Sequence, residues 1–262
     1  MKLTNENYFS AEADRFYMSN SQYKGFLACE AQALAKLNGE YTEPQHDALL
    51  LGSYVHAAIE SVTAQIDFIE KHPQMFSSRG ATKGELKAEY RHADKMISTV
   101  LEDPLCAQML EGEKEVIITA ELFGVPWKAK IDVLAEDRIV DLKTVKSIRE
   151  RYWHNGAYVS FVEAYGYLTQ MSVYQQLVRL HKGEALEPYI VAVSKEDEPD
   201  KAVIMFDEST LERELNLVSV NLPHIVRVKQ GLEEPRRCEK CRYCRSTKKA
   251  EIVHFASLLE GA

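Results

Sequence analysis

Asp132, Asp141 and Lys143 are the residues of this chain best placed to do chemistry. Eight residues separate the two acids, and the lysine follows the second by two positions. The acids lie in the apolar runs Lys130-Ile131-Asp132-Val133-Leu134 and Arg138-Ile139-Val140-Asp141-Leu142-Lys143, joined by Ala135-Glu136-Asp137. Apolar runs around a short polar turn predict two adjacent strands in a hairpin-like pair. Across such a pair both carboxylates come within reach of one cation. The period of two sets Asp141 and Lys143 on one face, with Leu142 pointing the other way. Two acids and a lysine around one point can hold a hard divalent metal beside a positioned cation, as magnesium-dependent phosphodiester hydrolysis requires. Asp and Lys alternating on a strand more often form a solvated face with an ion pair of little energetic value. Here Ile131, Val133, Leu134, Ile139, Val140 and Leu142 crowd the charges, and carboxylates among aliphatic side chains are costly unless paired or metal-bound.

Two helical constellations flank these strands. In Ala48–Glu60 the apolar periodicity is helical, and His56 and Glu60, four apart, share a face. A histidine there is either a metal ligand or a satisfied core residue. Gln170 and Tyr174 likewise share a face of the stretch that begins at Tyr167. Together they can bond a phosphate oxygen or a base edge, or they form an ordinary core hydrogen bond.

The elements that must position these groups follow from pattern and punctuation. Residues 20–37 and 47–70 read as helices, and 71–84, with His-Pro, Ser-Ser and two glycines, as a loop. A further helical stretch runs to about residue 111, broken at Pro104. Strands follow at Glu115–Leu122, Pro126–Leu134 and Arg138–Lys143. A helix from Val159 to Leu180 precedes strands at Tyr189–Val193 and Ala202–Phe206, and a last helix runs from Glu208 towards Gln230 with an interruption at Pro223. The sum is an α/β core with a helical N-terminal region. With no long linker or repeat, one domain over 1–262 is the economical reading.

Composition narrows the setting. There is no apolar run long enough for a membrane span, and the N-terminus lacks the apolar core of a signal peptide. Five cysteines, three of them clustered, point to a reducing compartment and metal-type use rather than to disulfides. A cytoplasmic protein is expected. The net charge of −8 argues against a generally DNA-binding surface. Arg236, Arg237, Lys240, Arg242, Arg245, Lys248 and Lys249 nevertheless concentrate positive charge in the cysteine-rich segment around 236–249, and local field governs contact. Cys238-x2-Cys241-x2-Cys244 has the spacing with which ferredoxins ligate iron–sulfur clusters, one ligand short, and Cys29 is the candidate fourth. Zinc on the same four thiolates and free thiols are the alternatives. Cys106 reads as a core thiol.

Taken in order, Gly52-x3-His56-x3-Glu60, Asp132, Asp141-x-Lys143 and Gln170-x3-Tyr174 resemble the motif series of the PD-(D/E)XK nucleases, in their RecB-like branch. Within that branch the chain is similar to phage and prophage RecE-type exonucleases. One departure is Ile131 where a proline usually precedes the first acid. The resemblance implies a mixed central sheet flanked by helices, and that Asp132 and Asp141 hold Mg²⁺ or Mn²⁺ with His56 and the Leu142 carbonyl. Lys143 would then orient the attacking water, and Gln170 and Tyr174 would position the substrate strand. Glu121 is a candidate ligand for a second metal, or a strand-end acid. Further implied are 5′→3′ resection of double-stranded DNA ends, a ring-like homo-oligomer, and a phage single-strand annealing protein as partner. The placing of one cysteine near the N-terminus and three near the C-terminus is similar to RecB-like nucleases that close their fold with an iron–sulfur cluster. Two other readings stay open: a CRISPR-adaptation or repair nuclease of the same fold, and a non-catalytic nucleic-acid-binding protein.

Overall fold

The computed structural model describes residues 1–44, 47–154 and 156–256. The chain begins with α1 (Ala11–Phe16), α2 (Asn20–Ala28) and α3 (Glu30–Asn38). Next come α4 (Asp47–Glu60), α5 (Val62–Lys71), α6 (Ala88–Leu101) and α7 (Pro104–Met109). The strands β1 (Glu113–Leu122), β2 (Val125–Leu134) and β3 (Arg138–Val145) follow, then the short pair β4 (Tyr152–His154) and β5 (Ala157–Val159). Helices α8 (Phe161–Ala164) and α9 (Tyr167–Lys182) lead to β6 (Glu187–Ser194) and β7 (Lys201–Met205). The described chain finishes with α10 (Glu208–Lys229) and α11 (Arg242–Thr247). Two compact units result: Met1–Asn20 with Pro44–Leu222, and Ser21–Glu43 with Pro223–Ala262.

The first unit is built on a mixed sheet in the order β1-β2-β3-β6-β7, in which β3 and β6 run parallel and the other neighbours antiparallel. Alternation sorts the strand residues between two cores. Val140 and Leu142 of β3 and Val191 and Val193 of β6 pack with Val55 of α4 and Tyr90, Met96 and Val100 of α6. Val145, Ile190 and Ala192 pack on the other side with Phe161, Met171 and Leu211. The sheet is therefore covered on both faces, as its parallel pair demands. Helix α4 packs closely on the first face because Gly52 has no side chain: a Cβ there would stand 3.2 Å from Thr144 Oγ1. One turn further along that helix is His56.

Several sequence-based boundaries shift for local reasons. The expected helix 20–37 is divided at Cys29, which is extended (φ −166°), and 47–70 at Ser61, whose hydroxyl accepts from the Ala64 N–H and starts a new helix. The expected helix 159–180 is replaced by β5, α8 and α9. Ser160 and Glu163 form a capping box on α8, and left-handed Gly166 (φ 64°) separates the two helices. The β4–β5 hairpin was not anticipated. Conversely, the expected interruption at Pro223 is absent: α10 continues through it. Pro223 is exposed, so the carbonyl left without its N–H partner can be hydrated instead.

In the second unit, Cys29 precedes α3 and the segment before α11 carries the remaining clustered cysteines. Glu30 joins the two parts of this unit by accepting the Arg236 N–H at 2.8 Å and pairing with His224 Nε2 at 2.8 Å. Among the described residues no helix is long and apolar enough to cross a membrane.

Candidate active site

The site is positioned by the β1–β2–β3 ribbon. Phe123 and Gly124 both adopt positive φ (52° and 73°), the requirement of a tight two-residue hairpin turn. From that turn the register runs Leu122↔Val125 to Val116↔Ile131 and resumes at Lys114↔Val133; between them Glu115, with a positive φ of 55°, leaves the ladder and comes beside Asp132. The β2–β3 ladder pairs Leu134 with Ile139 and Val133 with Val140. One step beyond, the Leu142 N–H turns to Asp132 Oδ2 at 2.8 Å. A side-chain carboxylate thus takes the place of a ladder carbonyl, and the strands part around it.

Asp132 and Asp141 both project into this region, in different company. Asp132 Oδ2 lies 3.4 Å from His56 Nδ1, and His56, Glu115 and Asp132 each offer a ligand atom within 4.8 Å of the others. These three line one cleft together with Glu60 and Leu142. Asp141 is buried and bonded to other partners. Its Oδ1 accepts from Gln170 Nε2 at 2.6 Å, and its Oδ2 pairs with Lys143 Nζ at 2.5 Å. Lys143 Nζ also stands 4.7 Å over the Tyr167 ring.

The electrostatics follow from burial and charge. Burial, and then the neighbouring Asp141, push the Asp132 carboxyl up to about 6, against the pull of His56, Lys143 and the Leu142 N–H. For Lys143, burial works to lower the pKa, but Asp141, Asp132 and Tyr167 outweigh it and the value is raised, so the ammonium keeps its proton. Tyr174 is held well above its usual range by burial and by Asp141. Glu115 pairs with Lys130 at 2.5 Å. Glu60 is raised by desolvation and by its neighbour Glu115. A carboxylate disfavoured by its surroundings, an imidazole and a second carboxylate within reach are a donor set that fits a divalent ion.

Measured against the sequence-based candidates, His56, Asp132, Asp141, Lys143, Leu142 and Gln170 come together. Gln170 is bonded to Asp141, which makes it a holder of that acid, and Tyr174 lies one turn along on the same helix. Glu121 is not with them. It is exposed near the turn end of β1, opposite Pro126. Six positions away on the strand, roughly 20 Å, Glu115 lies beside Asp132. Sequence reasoning missed Glu115, although counting outward from Phe123-Gly124 brings it level with Asp132.

A second cluster lies in the other unit. The thiols of Cys29, Cys238, Cys241 and Cys244 all lie within 4.8 Å of one another. Cys106 stands apart, buried in the first unit's core, its thiol pushed up to about 11 by burial and then by Asp103.

The fold has a counterpart among solved structures. A crystal structure of a "putative exonuclease" from Eubacterium rectale superimposes with a TM-score of 0.94, at 38% identity, over 100% of both chains. No curated protein matches the sequence. Residues 19–247 match the family described as a PDDEXK-like domain of unknown function, and the chain belongs to that PDDEXK-like family.

Proposed function

We propose that this chain is a metal-dependent deoxyribonuclease, an exonuclease that hydrolyses phosphodiesters at double-stranded DNA ends in the 5′→3′ direction. The observation that carries the reading is the meeting of His56, Glu115 and Asp132 beside the Asp141–Lys143 pair. The relative from Eubacterium rectale, described as a "putative exonuclease", supports the same reaction class. The family match over 19–247 supports treating 1–262 as one nuclease domain that carries the cysteine-rich segment.

In this mechanism Asp132, His56 and Glu115 would hold Mg²⁺ or Mn²⁺, with Asp141 and the Leu142 carbonyl beside them. The bound ion supplies a Lewis acid that offsets charge developing on the phosphoryl oxygens. Lys143 remains protonated and donates to the attacking water or the phosphate, which fixes geometry and stabilises negative charge. Gln170 holds Asp141, and through it Lys143, in one orientation. Tyr174 supports the same helix face. The biological setting that fits is DNA recombination: resection leaves a 3′ single strand for a phage annealing protein, and a homo-oligomer encloses the duplex.

Digestion of linear duplexes labelled at the 5′ or the 3′ end, with and without Mg²⁺, tests this. Metal-dependent release of the 5′ label first is expected. Release from the 3′ end reverses the polarity, and no digestion with any divalent ion removes the nuclease reading.

A further inference from the structure

The four clustered thiols have a geometry that discriminates between kinds of metal centre. Cys29 Sγ lies 3.5 Å from Cys244 Sγ and 3.8 Å from Cys241 Sγ, and no pair of the four exceeds 4.8 Å. A single zinc ion with Zn–S bonds of about 2.3 Å sets its sulfurs at the corners of a tetrahedron with edges of about 3.8 Å. A four-iron cluster binds each cysteine on a different iron, which spreads the sulfurs to roughly 6 Å apart. The observed spacing matches the first and is too tight for the second, despite the ferredoxin-like intervals in the sequence.

We infer that Cys29, Cys238, Cys241 and Cys244 form a structural site for one tetrahedral zinc ion. The backbone prepares it. The Cys241 N–H donates to Cys238 Sγ at 3.2 Å and the Cys244 N–H to Cys241 Sγ at 3.3 Å. Such donors orient thiolate ligands and disperse their charge. Four thiolates on one Zn²⁺ leave a net charge of −2, and the surrounding segment supplies cations. Arg237 is anchored at the site, donating to the Cys244 carbonyl at 2.7 Å, with Lys240, Arg242 and Arg245 in the same stretch. Among the described residues the apolar cluster here has Cys29, Ala31 and Cys244 as buried members, with Cys238, Cys241 and Tyr243 packed against them. That is little to hold α3 against the segment around α11, and a metal crosslink supplies what the apolar contacts lack. All four ligands lie within the second unit, so the site is independent of the nuclease reading.

The test is made on the full chain, purified without oxygen and without metal-affinity resin. Elemental analysis is expected to give one zinc per chain, no stoichiometric iron, and a colourless protein. Titration of the wild type with a mercurial thiol reagent, followed by a zinc indicator, should release one zinc as four thiols react. Cobalt exchanged into the site should show the visible d–d bands of a tetrahedral thiolate centre. Brown protein with iron and acid-labile sulfide would overturn the inference, as would metal-free protein, whether its four thiols are free or paired as disulfides. Cys238→Ser should lose the zinc, and Asp132→Ala should keep it. Loss of zinc from Asp132→Ala with retention in Cys238→Ser would place the ion at the acidic site and overturn the assignment.

Discussion

Gln170 holds Asp141: its amide donates to Oδ1 at 2.6 Å from a fully packed position on α9. An amide fixed in this way sets the direction of the carboxylate, and the carboxylate in turn sets Lys143. That bond ties Gln170, which the sequence offers as a substrate contact, to Asp141 and through it to Lys143.

Gln170→Ala should uncover this role. It leaves a buried carboxylate oxygen without its donor, at a cost of about 1–3 kcal/mol in stability. Activity should fall by about 10–100-fold, as with other groups that orient metal-site residues. Thermal melts with a metal titration of the initial rate check both. Unchanged activity with a lowered melting temperature would leave Gln170 a core residue only.

Asp132 should make metal-free protein respond to pH in an unusual direction. Its carboxyl is raised to about 6 in the fold from an ordinary value of 3.8, so between these values the folded state holds a proton that the unfolded state has lost. Stability present at low pH is thus lost as pH rises through about 6, by up to about 3 kcal/mol at neutrality. Asp132→Asn should melt higher than wild type at pH 7 in chelator, with the gap closing near pH 4 and narrowing when Mn²⁺ is added. The same variant should be inactive. Equal melting curves at both pH values would contradict the assigned burial cost.

Glu115 and Glu121 offer a paired comparison on one strand. Glu115→Gln should weaken Mn²⁺ binding at least about tenfold, whereas Glu121→Gln, exposed and remote, should leave binding and rate unchanged. Calorimetric titration of the two variants separates them. The reverse order would return the second acid to the turn end of the hairpin.

His56→Ala should weaken metal affinity, with activity partly restored by raised Mn²⁺ and little change in melting temperature, because the imidazole is 30% exposed. A large drop in melting temperature with an unaltered metal dependence would make His56 a packing residue.

The acids and the lysine were legible because strand alternation and a short turn fix their mutual placement from local pattern alone. Helical spacing did the same for Gln170 and Tyr174. Glu115 escaped because its partnership with Asp132 belongs to the other hairpin, whose register depends on a turn eight positions away. The β4–β5 pair, three residues per strand, is too short to show a period, and only Val159 fell within an expected element. The breaks at Cys29, Ser61 and Gly166 carry single-residue signals that an otherwise helical stretch outweighed. Cysteine spacing brought out the clustered thiols but not the kind of centre they fit, since sequence intervals do not report sulfur–sulfur distances.

The Phe123-Gly124 turn acts as a ruler laid along the active site from outside it. It stands roughly 26 Å of strand from Asp132, yet each residue added or removed there would slide β1 along β2 and carry Glu115 off the position beside Asp132. A single-residue insertion would also turn the opposing face over, presenting Val116 or Lys114 in place of the acid. Loop tips ordinarily accept such changes. This one should not, and length there should be constrained as tightly as chemistry is at the proposed metal ligands.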